Sequence, residues 1–259
     1  MKKNLSAVII TRNDSDDLED CIKELSFADE IIVIDNNSTD DTAKIAKSLK
    51  AMVYNVGGLD FSYLRNIGKE KSEGEWILYI DTDERITKEL KNEIVSFLKK
   101  PGDYMAGLFI RKNFFFGSPW NHSDRMTRLM KKEALIGWHG QLHETPHVRG
   151  NVYTFKNPLL HYTHDNLTQM VSKTNEWSEI EAQLRYQNNH PHIVGWRLIR
   201  VMITAFFQSY IREGGWKCKT VGVVESIYQS FSMFITYAKL WEKQNRALIE
   251  EKDYDKPNS

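Results

Sequence analysis

The chain of 259 residues holds only two cysteines, Cys21 and Cys218. They lie far apart in unlike settings, which argues against a disulfide framework and for a reducing compartment. Charge of either sign is not in excess, with 35 Lys and Arg against 35 Asp and Glu. Nothing global therefore attracts a nucleic acid or another polyanion, and no nucleic-acid partner is expected. No apolar run approaches the ~20 residues that span a bilayer. The start, MKKNLSAVII, imitates a signal peptide for a few residues, but its apolar core is too short and charges follow at once, so it reads as a first strand. No G-x-x-x-x-G-K-[ST] occurs, which removes a P-loop enzyme. Internal repeats and low-complexity segments are absent too.

What is present is an ordinary globular composition, 41% hydrophobic and 27% charged, patterned as alternating strands and helices. Strands are expected at 5–10, 31–34, 51–56 and 76–80. The run Ile31-Ile32-Val33-Ile34 is apolar throughout, as in a strand buried on both faces of a parallel sheet. Helices are expected at 14–25, 40–49, 63–71 and 87–99, the second capped by Ser38 or Thr39. This alternation predicts an α/β fold with a doubly wound, mostly parallel sheet. From 104 to about 165 strand-like pieces follow, at 105–111, 126–130, 152–155 and 159–162. Beyond 166 the pattern is helical. The expected organisation is thus a domain over 1–165 and a helical region over 166–259.

In a doubly wound sheet, ligands gather at the carboxyl ends of the strands. Three of these ends are polar: Thr11-Arg12-Asn13-Asp14, Asp35-Asn36-Asn37-Ser38-Thr39-Asp40, and Asp81-Thr82-Asp83. Two carboxylates one residue apart can offer oxygens to Mg²⁺ or Mn²⁺ and leave positions open for phosphate. The same acids also suit a helix start, where Glu84 and Thr87 would begin the next helix. Asp35 can accept from a nucleoside, and Asn36 or Asn37 can meet a base edge. The competing reading is an Asx-turn followed by a helix cap.

Taken in order, VIITRND, ADEIIVIDNNSTDDT and LRNIGKEKSEGEWILYIDTDERIT resemble the family 2 glycosyltransferases of GT-A fold. Beyond them, RKNFFFGS (111–118), RLM (128–130), GQLHE (140–144) and LLHYTH (159–164) resemble the branch that builds the lipopolysaccharide core. The resemblance implies a metal-dependent, inverting transfer from a nucleotide diphosphate sugar, UDP-sugar favoured, to a glycan or lipid-linked acceptor. It implies that Thr11, Asn13, Asp35, Asn36, Arg65 and Asp81 bind the donor, with Thr11 and Asp35 holding the nucleoside and Arg65 adding a cationic contact. Asp83, with Asp81, would hold Mn²⁺ or Mg²⁺, and His161 or His164 would add a further ligand. Glu144 would be the base, with His143 orienting it or touching phosphate. Asn36 departs from the pattern, since many members carry a second Asp there. Two alternatives stand beside this reading. One is a non-catalytic sugar-nucleotide or glycan binding protein on the same fold. The other is a zinc hydrolase built on His139, His143 and His147, although Gly140 and Pro146 interrupt the helix that their spacing would need.

Between Ile193 and Arg246 lie ten aromatics and eight Lys or Arg against three Glu. The charge-free runs 201–211 and 226–238 are too short to span a bilayer but suit helices lying in its interface. A helical hairpin packed on the first domain, or forming a homodimer, would use the same residues. The location expected is cytoplasmic, peripheral on the inner face of the membrane.

Overall fold

The computed structural model describes residues 3–58, 60–140, 144–164 and 166–254. Four strands, β1 (Leu5–Thr11), β2 (Glu30–Asp35), β3 (Met52–Asn55) and β4 (Trp76–Tyr79), form a parallel run in the order β3-β2-β1-β4. Every residue of β1 is buried, which is why its sequence is apolar without alternation. The two faces still differ in what they touch. Ala7, Ile9, Leu78 and Ile80 pack with Leu18, Cys21 and Ile22 of α1 (Ser15–Glu24) and with Leu90, Ile94 and Phe97 of α4 (Lys88–Lys99). Val8, Ile10, Ile77 and Tyr79 pack on the other side, with Leu64 of α3 (Phe61–Lys71). α2 (Thr42–Ser48) joins the α1 side through Ala46.

The cap of α2 departs from expectation. Ser38 Oγ instead accepts from Asn13 N at 2.9 Å, and Asp40 accepts from Thr42 N at 3.0 Å. Thr87 does cap α4, accepting from Leu90 N at 3.1 Å.

Past β4 the sheet is mixed. β5 (Glu84–Ile86), a three-residue strand unmarked by any apolar pattern, pairs antiparallel with β11 (Leu159–His164). β6 (Tyr104–Phe115) and β7 (Ser118–Lys131) link that edge to β4, giving the order β4-β7-β6-β11-β5, and β10 (Asn151–Thr154) pairs with β6. β8 (Leu135–His139) and β9 (Thr145–Val148) form a separate two-stranded sheet.

The chain forms two compact units. One is Met1–Asn113 with Ser123–Thr163, and the other is Phe114–His122 with His164–Ser259. The tip of the β6–β7 hairpin thus groups with the helical unit, where Cys218 Sγ donates to Pro119 O at 3.7 Å. That unit holds α5 (Leu167–Gln187), α6 (Gly195–Phe207), a π-helical turn Gln208–Arg212, a 3₁₀ turn Gly215–Cys218 and α7 (Lys219–Tyr254). Polar bonds fasten α7 to both partners: Lys243 Nζ to Glu179 of α5 at 2.6 Å, and Ser230 Oγ to Met202 O of α6 at 2.9 Å. Among the described residues no helix is long and apolar enough to cross a membrane.

Glu30 ties the amino ends of β1, β2 and β4 together. It accepts from Ser6 Oγ, from Lys3 Nζ at 2.8 Å and from Glu73 N at 2.7 Å. Burial works to raise its carboxyl, but these donors outweigh it and hold the group below the usual carboxylate range. A depressed folded pKa gives stability that is full above the unfolded value, about 4.3 for Glu, and that is lost as pH falls through the folded one. Wild type should therefore exceed Glu30→Gln in urea-unfolding stability at pH 7, with the gap narrowing toward pH 3. A gap that widens in acid would refute the assignment.

Candidate active site

β2 and β3 lie to one side of β1 and β4 lies to the other, so strand order reverses between β1 and β4. A crevice opens at the carboxyl ends of two such strands. There, Thr11 ends β1 and Asp81 follows β4. Thr82 Oγ1 donates to Asp14 at 2.5 Å, joining the loops after the two strands.

The DTD segment is a tight turn, closed by Glu84 N donating to Asp81 O at 3.0 Å. Arg85 clamps it, donating to Thr82 O at 2.5 Å and to Asp17 of α1 at 2.7 Å. The turn leads directly into β5, whose register sets Glu84 opposite His161. Tyr162 N donates to Asp83 O at 2.9 Å. Pairing of β5 with β11 thereby brings Asp83 Oδ2 to 3.4 Å from His161 Nε2.

A neighbouring amide sets the histidine tautomer. Asn113 Nδ2 donates to Asp124 at 2.8 Å, so its carbonyl oxygen is the atom 2.8 Å from His161 Nδ1. A carbonyl only accepts, so Nδ1 carries the proton. That leaves Nε2 as the ring atom facing the Asp83 carboxylate. Two acceptors this close need a proton or a cation between them. The donor set, one carboxylate oxygen and one imidazole nitrogen held by a hydrogen bond behind it, fits a divalent ion that takes its remaining ligands from phosphate and water. Among the described residues no group of three or more His, Cys, Asp or Glu is arranged to hold an ion by itself.

Asp81 sits differently. Its Oδ1 accepts from Arg65 Nη2 at 2.9 Å, and its Oδ2 accepts from Arg128 Nη2. Burial would raise its carboxyl, but Arg128 and Arg65 outweigh that and hold it far below the carboxylate range. A cation on these same oxygens would face two guanidinium charges. Asp81, expected to share the metal with Asp83, is here ion-paired with both guanidinium groups. Arg65 is itself 4% exposed. It lies 4.7 Å from the Trp138 ring centroid, and its Nε reaches Glu144 Oε1 at 2.8 Å. It thus holds two carboxylates, rather than standing as an open cationic contact. Glu84 corrects its expectation more sharply. Far from opening a solvated helix, it is wholly buried, with Arg128 at 2.6 Å, Arg111 at 3.3 Å and Asp81 N at 3.1 Å.

On the β1–β2 side, Thr11 and Asp35 are register partners and both are buried. Among the described residues Thr11 Oγ1 has no hydrogen-bond partner, while Asp35 Oδ1 accepts from Ser38 N at 3.2 Å. Asn36 differs from expectation. Its amide pairs at both ends with the Gly58 backbone, each bond 2.9 Å, so it fixes the β3–α3 loop instead of turning to a base. Asn13 Oδ1 accepts from Thr39 N at 2.8 Å and joins two strand-end loops.

Glu144 belongs to the same constellation as Asp81 through Arg65, whereas His143 lies outside the described residues. His139 and His147 stand on β8 and β9 with ring centroids 6.1 Å apart, so their spacing is not that of a helix. Sequence reading assigned no role to Glu84, Arg111, Asn113, Asp124 or Arg128 in this network. The signal existed, because Arg111, Asn113 and Arg128 fall inside RKNFFFGS and RLM.

The family model described as glycosyl transferase family 2 matches residues 6–205. An uncharacterized glycosyltransferase of Rickettsia bellii is 30% identical over 93% of this chain and 87% of its own length. The lipopolysaccharide core biosynthesis glycosyltransferase LpsC of Rhizobium meliloti is 25% identical, covering 93% of each chain. Among solved structures, TarS of S. aureus matches at 14% identity with a TM-score of 0.46, over 84% of this chain and 46% of that one.

Removing Arg128 would strand two carboxylates, one of them wholly buried. Arg128→Met should cost about 3–5 kcal/mol in urea unfolding, the usual loss when one partner of a buried pair is deleted. Adding Glu84→Gln should restore part of it. A single variant within about 0.5 kcal/mol of wild type, the ordinary surface-substitution range, would show that the pairs carry no stability.

Proposed function

The chain belongs to glycosyl transferase family 2 and is a glycosyltransferase of GT-A fold, and from that premise we propose a metal-dependent, inverting transfer from a nucleotide diphosphate sugar. The observation that carries this reading is the Asp83–His161 pair, 3.4 Å apart, with Asn113 fixing the imidazole. When bound, Mn²⁺ or Mg²⁺ would neutralise charge on the departing diphosphate as a Lewis acid. Asp83 Oδ2 and His161 Nε2 are the atoms that would hold it.

Thr11 and Asp35 are proposed to bind the nucleoside, with Thr11 Oγ1 a buried hydroxyl that has no hydrogen-bond partner among the described residues. A UDP-sugar is the favoured donor. With Asn36 committed to Gly58, base selection falls to Asp35 and the backbone around it. Glu144 is the proposed base, taking the acceptor hydroxyl proton on its carboxylate. Arg65 positions it through the 2.8 Å bond from its Nε. The acceptor is proposed to be a glycan or lipid-linked saccharide of the cell envelope, met at the inner face of the cytoplasmic membrane. Full-length similarity to a lipopolysaccharide core enzyme supports that class.

A thermal-shift screen of nucleotide-sugars with and without Mn²⁺ tests the donor and the ion together. The true donor at a hundred times its Kd should raise Tm by roughly 5 °C or more, and only with metal. Asp83→Ala should abolish the metal-dependent part of the shift. Glu144→Gln should keep the shift and lose transfer by about 10²–10⁴-fold. No metal-dependent shift with any nucleotide-sugar would sink the reading.

A further inference from the structure

We infer that the exposed apolar faces of α6 and α7 dock this protein on an anionic lipid surface. On α6, Trp196, Ile199, Ile203 and Phe207 recur at helical spacing, and all are exposed, Ile199 at 62%. From Trp196 to Phe207 the helix rises by eleven steps, which makes this stripe roughly 16 Å long. On α7, Val223 and Ile227 stand one turn apart and are exposed as well. These are not the packing faces of the hairpin. Val201 is buried on α6, and Ser209 meets Ser226 at 3.0 Å within the helical unit. A large-hydrophobic stripe left in water on a helix marks a binding face.

Charge identifies the occupant. Between Gly195 and Val224 there are five basic residues, Arg197, Arg200, Arg212, Lys217 and Lys219, and one acid, Glu213. The cations gather at the aromatics. Arg197 and Arg200 lie 5.7 and 5.1 Å from the Trp196 ring centroid, and Lys217 lies 5.2 Å from that of Trp216. Indole with a cation at the same level suits the headgroup zone of a bilayer, with phosphate as counter-ion and the isoleucines reaching the acyl boundary. A second copy fits less well, because a two-fold contact sets this basic surface against itself. The inference deepens the proposed use of a lipid-linked acceptor, and its test needs neither donor nor metal, so the two readings can fail separately.

The test is vesicle flotation of the full chain, with phosphatidylcholine alone and with added phosphatidylglycerol, at low and high salt. The protein should float with the anionic vesicles, more weakly at high salt, with a blue shift of tryptophan emission. Ile203→Ser/Phe207→Ser and Arg200→Glu/Lys217→Glu should each lower the partition coefficient at least about tenfold, with unchanged far-ultraviolet circular dichroism. Ile136→Ser, an exposed apolar site on β8, should bind as wild type does. No flotation with anionic vesicles, or both double variants floating as well as wild type, would overturn the inference. So would a dimer seen by light scattering that Ile203→Ser/Phe207→Ser dissolves, which would make a second copy the occupant.

Discussion

Glu84 is fully buried, and it can be because Arg128 and Arg111 converge on one of its oxygens while Asp81 N donates to the other. From it a row of alternating charges runs both ways. Arg128 leads to Asp81, Arg65 and Glu144, and Arg111 leads to Asp124. An isolated charge here would cost several kcal/mol in lost hydration, so each member depends on its neighbours. The row crosses α3, the turn after β4, β5, β6, β7 and the loop before β9. It therefore sets the relative positions of segments that the backbone ladder alone would leave adjustable.

Three of these constraints meet at the proposed metal pair. Asp124 orients the Asn113 amide, and Asn113 sets the His161 tautomer. Glu84, held by its arginines, sits opposite His161 in the β5–β11 register. Arg85 and Thr82 pin the turn from the side of α1 and the β1 loop. Side chains so braced have little rotamer freedom left, which is what an ion site requires when it must keep its geometry without a full protein ligand set.

The parallel half of the sheet was legible because β1, β2 and β4 are buried on both faces and read as apolar runs, with helical periodicity between them. Burial also made the carboxyl-end rule usable, and it singled out Thr11, Asp35 and the DTD turn. β5 was illegible for the opposite reason. Its residues, Glu84-Arg85-Ile86, are mostly charged, and it exists as a strand only because β11, more than seventy residues later, supplies its ladder. Local pattern carries no trace of such a partner. For the same reason Glu84 looked like a helix-start acid and Arg65 like an open cation. Their charges are visible in sequence, but their burial follows from pairing across the chain. Asn36 failed at smaller scale, since its amide is taken by a glycine backbone twenty-two residues away.

Two aspartates one residue apart acquire opposite duties through the turn between them. Asp81, at the first position, still lies in line with β4 and faces the arginines of the buried row. Asp83 follows after the chain has bent, next to the antiparallel edge where His161 arrives. Thr82 between them points back to Asp14 on the β1 side. The one-residue spacing thus lets one carboxylate anchor the turn in the charge network while the other stands beside His161. A single acid could not do both, because the guanidinium pair that secures Asp81 is what makes its oxygens unsuited to a second cation.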